Sequence, residues 1–269
     1  MSENPGIRGV AALQEAAAAP RTAVRDALVI IPTYNEAENI RHVLESVLDA
    51  SPRVDVLVID DGSPDGTGAI AERFAQDEER VAVLHREGKQ GLASAYLRGF
   101  ELGQARGYRY LFEFDADGSH PAARLPALID ELDGGADLVI GSRWVPGGAT
   151  ENWPVQRQLL SRSASLYCRV LLRSRVRDIT AGYRGYRTDS LGGFDLGPVG
   201  STGYCFQIEM AWMFERLGKR VVEVPITFVE RRLGQSKMSR SIITEALWRV
   251  TSWGLGFRAR GLAYRLTGR

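Results

Sequence analysis

The chain has 269 residues, of which 44% are hydrophobic and 25% charged, and its formal net charge is +1. Those values exclude a disordered chain and a multi-pass membrane protein, and a pI near 7.8 excludes a surface built throughout for nucleic acid, where pI usually exceeds about 9. Any ionic partner must be met locally. The length suits one sizeable core, since single domains grow to roughly 250–300 residues before chains divide.

Two cysteines, Cys168 and Cys205, form no CxxC or Cys/His cluster, so neither a disulfide framework nor a zinc site is expected, and a reducing cytoplasm fits. Residues 1–25 carry an alanine run, Ala16 to Ala19, without the basic start and continuous apolar core of a signal peptide. They read as a tail. No stretch of about 18 apolar residues predicts a membrane span.

From Ala27 to Ile31 runs an apolar segment, closed by Pro32 and followed by the helical spacing Ile40, Val43, Leu44, Val47, Leu48. The alternation continues with a strand over 54–59, a loop from Asp60 to Gly66, a helix over 67–75, a strand over 81–84, a helix over 92–104 and a strand over 108–114. Strands apolar on both faces, alternating with helices, predict an α/β fold whose mostly parallel central sheet is covered by helices on both faces. Beyond Gly148 the expectation is a helix over 156–172, an irregular stretch over 177–198, a helix over 206–217 and a strand over 221–228. Ligands of such sheets bind beyond the carboxyl ends of the strands. The loops starting at Pro32, Asp60, Asp115 and Gly141 should therefore converge on one crevice.

Asp115 and Asp117, one residue apart after an apolar strand, have the spacing of hard oxygen ligands for Mg²⁺ or Mn²⁺, or of acids capping the next helix. Asp60 and Asp61 end the second strand, where an acid can accept hydrogen bonds from a base or ribose or close the loop on itself. Neither GxxxxGK[ST] nor GxGxxG follows the first strand, which removes the main support for an ATPase or a dinucleotide dehydrogenase.

The strings IIPTYNEAENI from Ile30, VIDDGSPDGT from Val58, FDADGSHP from Phe114, GSRWVPGG from Gly141, DITAGYRGYR from Asp178 and RRLGQSKM from Arg231 together resemble the dolichol or polyprenyl phosphate mannose synthases of the family 2 glycosyltransferases. The likeness runs from about Leu28 to Ser241. It implies a GT-A fold over residues 26–240, a GDP-mannose donor, a polyprenyl phosphate acceptor in the membrane, a divalent cation (Mg²⁺ or Mn²⁺), and inversion at the anomeric carbon. Carried over by position, Pro32, Tyr34 and Glu36 match donor-binding residues and Ile59 and Asp61 nucleoside contacts. Asp115, Ala116 and Asp117 match the metal and diphosphate positions, and Arg143, Arg231 and Lys237 basic positions around the phosphates. Asp115 and Asp117 are the implied metal ligands, and Asp117, Arg143 and Lys237 the residues implied to carry catalysis. Some members have a glutamine as third ligand where Ser119 stands here.

A phosphate acceptor is already ionised, its second pKa being about 6, so no strong base is needed. Of the three histidines, His42, His85 and His120, only His120 lies near a motif, and it reads as a supporting residue in preference to a metal ligand. Eight arginines between Arg157 and Arg187 face one acid, Asp178, a local excess suited to an anionic head group or to a solvated helix face. Residues 241–269 place Ile243, Leu247, Val250, Trp253 and Phe257 at helical spacing among arginines, which suits a membrane surface or the core equally. The Gly234 to Lys237 loop could close over the donor. The expected location is cytoplasmic, at the inner face of the membrane, with an anchoring partner protein and no nucleic acid among the partners. The alternatives are a transferase of the same fold using a UDP-sugar with undecaprenyl phosphate, a sugar transferase onto polysaccharide, a nucleotidyltransferase, and an inactive nucleotide-sugar-binding subunit.

Overall fold

A computed structural model describes residues 25–192, 204–230, 244 and 246–256. Its strands are β1 (Ala27–Thr33), β2 (Val54–Asp60), β3 (Val81–His85), β4 (Tyr110–Glu113), β5 (Leu138–Ser142), β6 (Ala149–Glu151), β7 (Arg184–Arg187), β8 (Val221–Pro225) and β9 (Thr227–Val229). Its helices are α1 (Ile40–Ala50), α2 (Thr67–Asp77), α3 (Leu92–Ala105), α4 (Leu125–Asp133), α5 (Val155–Leu172), the single turn α6 (Thr188–Leu191) and α7 (Tyr204–Arg216). Seven strands form one sheet in the order β3-β2-β1-β4-β7-β5-β8, and β6 and β9 pair separately.

The pleat divides each strand between two cores. Leu28 and Ile30 of β1, Leu57 and Ile59 of β2 and Leu111 of β4 face α3, α5 and α7, meeting Tyr96, Phe100, Cys168 and Phe206. Val29 and Ile31, Val56 and Val58, and Phe112 face α1, α2 and α4, meeting Val43, Leu44, Ala71, Leu128 and Leu132. Each such Leu, Ile or Phe contributes about 1.5–3 kcal/mol relative to exposure, which is why strands apolar on both faces were the reliable signal. On α3, Gly99 lets the helix lie close to the sheet, since a Cβ there would come within 2.6 Å of Ile30.

The sheet is parallel except at β7, which runs antiparallel to both β4 and β5. This strand lies inside the stretch expected to be irregular. Its sequence, Arg-Gly-Tyr-Arg, hides the period because Arg184 is fully buried. The guanidinium donates to the carbonyls of Ile179, Ala181 and Gln207, so it acts as a pin for the chain on either side. The expected strand over 221–228 is two strands: β8 continues the main sheet, and after Ile226 the chain leaves it for β6. Helix α4 goes beyond the sequence expectations, with Leu125, Leu128, Ile129 and Leu132 buried on one face.

Residues 246–256 are helical. Val250 is buried, Trp253 stacks on Trp212 at 5.8 Å, and Thr251 Oγ1 lies 2.6 Å from the Tyr167 hydroxyl. Leu247, Trp248 and Leu255 stay exposed.

Candidate active site

Strand order reverses between β1 and β4, because the chain adds β2 and β3 on one side of β1 and then returns to place β4 on the other. A crevice opens beyond the carboxyl ends of the strands at such a switch point. Here it is a cavity of about 410 Å³ lined by Pro32, Tyr34 and Glu36 after β1, Asp61 after β2, Asp115, Ala116 and Asp117 after β4, and Gly141 and Arg143 at the end of β5.

The two acids ending β2 divide their work. Asp60 is buried and accepts from the hydroxyls of Thr33 (2.9 Å) and Ser63 and from the Ser63 amide (3.1 Å), tying the β1 and β2 loops together. The backbone amides of Asn35, Glu36 and Ala37 donate to Ser63, Thr67 and Asp65 across the same gap. Asn35 turns the chain there with φ 57°, a left-handed conformation that asparagine tolerates. Asp61 points its carboxylate to the cleft edge, held by Arg86 Nε at 2.6 Å and by the Gln90 amide at 3.3 Å. Arg86 is anchored in turn by Ser94 Oγ and the Gly91 carbonyl at the start of α3. Opposite, the Lys89 ammonium lies 5.1 Å from the Tyr34 ring centre.

Ile59 is the exception among the resemblance-derived positions. Its side chain is fully buried in the core facing α3 and is absent from the cleft lining. Arg231 and Lys237, with the whole Gly234 to Lys237 loop, lie outside the described residues.

Asp115 and Asp117 reach the cleft from a loop fixed on three sides. The Tyr96 hydroxyl donates to Asp115 Oδ1 at 3.2 Å, His120 Nε2 stands 3.3 Å from Asp115 Oδ2, and the Ser119 amide donates to Asp117 Oδ1 at 3.1 Å. Ser119 Oγ is buried without a partner. These oxygen donors fit a hard divalent ion. Behind Asp115, Glu113 is fully buried on β4, accepting from the Tyr186 hydroxyl at 2.7 Å. Burial pushes its pKa up to about 7, against the opposing pull of Arg184. Loss of solvation, more than the neighbouring Asp115, likewise holds the Tyr96 hydroxyl well above its ordinary range.

Arg143 is 8% exposed. Asp178, fully buried, accepts from its Nε at 2.7 Å, its Nη2 at 2.6 Å and its backbone amide at 2.9 Å. The guanidinium also lies within 5.0–5.5 Å of the Trp144, Trp153 and Phe228 ring centres. Trp153, Arg157, Gln207, Phe228 and Glu230 complete this end of the cleft, with Arg157 bonded to Glu230 at 2.6 Å. Sequence reasoning missed Trp153, Gln207, Phe228 and Glu230; the β6–β9 ribbon brings Trp153 and Phe228 together from segments some 75 positions apart. The arginine excess is also reduced. Arg157, Arg184 and Arg187 are taken up internally, whereas Arg162, Arg169, Arg173, Arg175 and Arg177 are exposed.

A family model described as glycosyl transferase family 2 matches residues 28–193. The chain belongs to that family. It is 55% identical to the polyprenol monophosphomannose synthase of Mycolicibacterium smegmatis, over 87% of this chain and 90% of that one. To the undecaprenyl-phosphate mannosyltransferase of Micrococcus luteus it is 54% identical, over 89% and 98%, and to the dolichol-phosphate mannosyltransferase of Pyrococcus furiosus 37%, over 84% and 63%. Among solved structures, glucosyl-3-phosphoglycerate synthase from Mycobacterium tuberculosis, in complex with Mn²⁺, UDP-glucose and phosphoglyceric acid, superposes with a TM-score of 0.62 at 22% identity, covering 92% of this chain and 85% of that one. That likeness carries the GT-A fold of this transferase. It agrees with the mixed sheet, the helices on both faces and the cleft at the strand ends.

Proposed function

We propose that this glycosyltransferase moves mannose from GDP-mannose to a polyprenyl phosphate, with inversion, at the cytoplasmic surface of a membrane. The observation that carries the reading is the convergence of Asp61, Asp115, Asp117 and Arg143 on one cleft, together with relatives at 54–55% identity named for this transfer. Asp61 receives the nucleoside, with Pro32, Tyr34 and Glu36 walling the donor. Asp115 and Asp117 would hold Mg²⁺ or Mn²⁺ against the donor diphosphate. When bound, that ion neutralises the charge gathering on departing GDP. Arg143, Arg231 and Lys237 add positive charge around the phosphates.

Arg143 is kept oriented by Asp178 and kept dry by Trp144, Trp153 and Phe228, so its charge acts at low effective dielectric. The acceptor phosphate oxygen is ionised at neutral pH and attacks without a protein base. The cleft needs to align it, and the Trp153–Arg157 end is where α5 begins. Along α5, Val155, Leu159, Leu166 and Val170 are exposed and fall within an arc of about 60° at 3.6 residues per turn. Arg162 and Arg169 lie about 20° and 40° beyond one edge of that arc, and apolar residues beside arginines suit an anionic bilayer surface. Among the described residues no helix is long and apolar enough to cross a membrane. A membrane-anchoring partner protein remains part of the proposal.

The test is transfer of radiolabelled sugar from GDP-mannose, UDP-glucose or UDP-N-acetylglucosamine into an organic-extractable product, with and without Mg²⁺ or Mn²⁺. Metal-dependent label from GDP-mannose alone is expected. Label from a UDP-sugar would reassign the donor, and none from any donor would point to an inactive nucleotide-sugar-binding subunit.

A further inference from the structure

Among the described residues, the lysine and arginine side chains lining the cleft are Lys89, Arg143 and Arg157. Arg143 is paired with Asp178 and Arg157 with Glu230. Lys89 has no carboxylate partner among the described residues. It is exposed, and its ammonium rests over the Tyr34 ring, 5.1 Å from the centre, a weak contact at such a site. The backbone beneath it is fixed. The Gln90 amide, which closes the Lys89 peptide bond, donates to Asp61 Oδ2 at 3.3 Å, and Arg86 donates from Nε to Asp61 Oδ1 at 2.6 Å. The Arg86 amide donates to the Asp60 carbonyl at 2.8 Å. A Cβ on Gly62, whose φ is +70°, would stand 3.2 Å from the Gly88 amide nitrogen, so the loops after β2 and β3 lie against each other. Lys89 is thus rooted beside Asp61 and reaches toward Tyr34.

Asp61 and Lys89 have opposite hydrogen-bonding character: an ionised carboxylate only accepts, and an ammonium only donates. The one bond at Asp61 Oδ2 is the long one from Gln90, so that oxygen can accept another. A ligand held by both groups must offer a donor to one and an acceptor to the other. A ring N–H beside a ring carbonyl does so, as in N1–H and O6 of guanine or N3–H and O4 of uracil. Adenine and cytosine present the reverse, a bare ring nitrogen beside an amino group, which sets acceptor against acceptor and donor against donor.

We propose that Lys89 is a specificity-determining residue whose ammonium donates to the ring carbonyl of the donor's base while Asp61 accepts from the neighbouring ring N–H. The inference rests on the reading of Asp61 as the nucleoside residue and deepens it. With GDP-mannose the carbonyl is O6 and the ring N–H is N1. The Tyr34 ring holds the ammonium at the cleft without neutralising it, so its charge stays available to the base.

The experiment is isothermal titration calorimetry of the full chain, with Mg²⁺ or Mn²⁺ present, against GDP, inosine diphosphate and the diphosphate of 2,6-diaminopurine riboside. Inosine keeps O6 and N1–H and lacks the 2-amino group, whereas the diaminopurine keeps that amino group and lacks the other two. Lys89→Met should weaken GDP and inosine diphosphate about 10–100-fold and leave the diaminopurine nucleotide within about 2-fold. Lys89→Arg, which keeps a donor, should recover part of the loss. Equal weakening of all three nucleotides would move the ammonium to the ribose or the diphosphate and overturns the inference, as does unchanged GDP affinity. If the chain binds UDP and not GDP, the GDP-mannose reading fails, and this inference is decided on UDP against CDP: a loss in Lys89→Met confined to UDP upholds it, and an equal loss overturns it. Binding of no nucleoside diphosphate overturns both.

Discussion

Replacing Asp178 by asparagine keeps the shape of the side chain and removes its charge, leaving Arg143 as a buried cation without a counter-ion. Asp178 is fully buried, and it accepts two bonds from the guanidinium and one from the Arg143 amide, at 2.6–2.9 Å. Hydrogen bonds to charged groups contribute about 1.5–3 kcal/mol each, and breaking a buried pair from one side costs about 3–5 kcal/mol. Asparagine keeps one acceptor, so the expected loss is about 3 kcal/mol, a large part of a typical stability of about 5–15 kcal/mol. Urea unfolding followed by tryptophan fluorescence measures it directly, since Trp144 and Trp153 flank Arg143. Adding Arg143→Met to Asp178→Asn should restore stability relative to the single Asp178 variant, because the unpaired charge is gone. A displaced guanidinium should also lower kcat/KM for the donor about 100-fold. Unfolding energy within about 0.5 kcal/mol of the parent, or strict additivity of the two substitutions, would refute the account of Arg143 as a residue held by Asp178.

Asp117→Ala should reduce sugar transfer at least about 100-fold, and EDTA should do the same reversibly; label incorporation checks both, and retained activity removes Asp117 from the metal site. Because Glu113 is raised from its usual 4.5 to about 7, its contribution to stability is complete below pH 4.5 and is lost as pH rises through 7. The metal-free protein should therefore lose about 3 kcal/mol across that window, and Glu113→Gln should flatten the profile of unfolding energy against pH. Leu159→Asp with Leu166→Asp should abolish binding to anionic vesicles while leaving the unfolding curve within about 0.5 kcal/mol; unchanged sedimentation with vesicles would remove α5 from the membrane surface.

Helix α5 and the α4–β7 region mark the limits of what a linear pattern reveals. Apolar runs read well wherever a strand is buried on both faces, as in β1 and β2. They fail at β7, where a buried arginine makes a core strand look polar because its charge is satisfied by carbonyls rather than by water. Helix 246–256 was evenly divided between core and membrane in the sequence, and Val250 and Trp253 place its inner face on the core while Leu247, Trp248 and Leu255 remain outside. At the site, the acid pairs at strand ends were legible because position in a βα loop decides which residues face the crevice. Their separate roles were not. Nothing in the string Asp60-Asp61 says that one carboxylate closes a loop and the other meets Arg86.

By itself the sequence determined the α/β alternation, the crevice at the strand ends and the family, because these depend on local periodicity and on motifs contiguous in the chain. Only the tertiary structure decided that Asp178 clamps Arg143 and that Trp153, Arg157 and Phe228 wall the cleft. Those contacts join residues 35 to 75 or so positions apart, and burial, rather than residue type, sets what each side chain there can do.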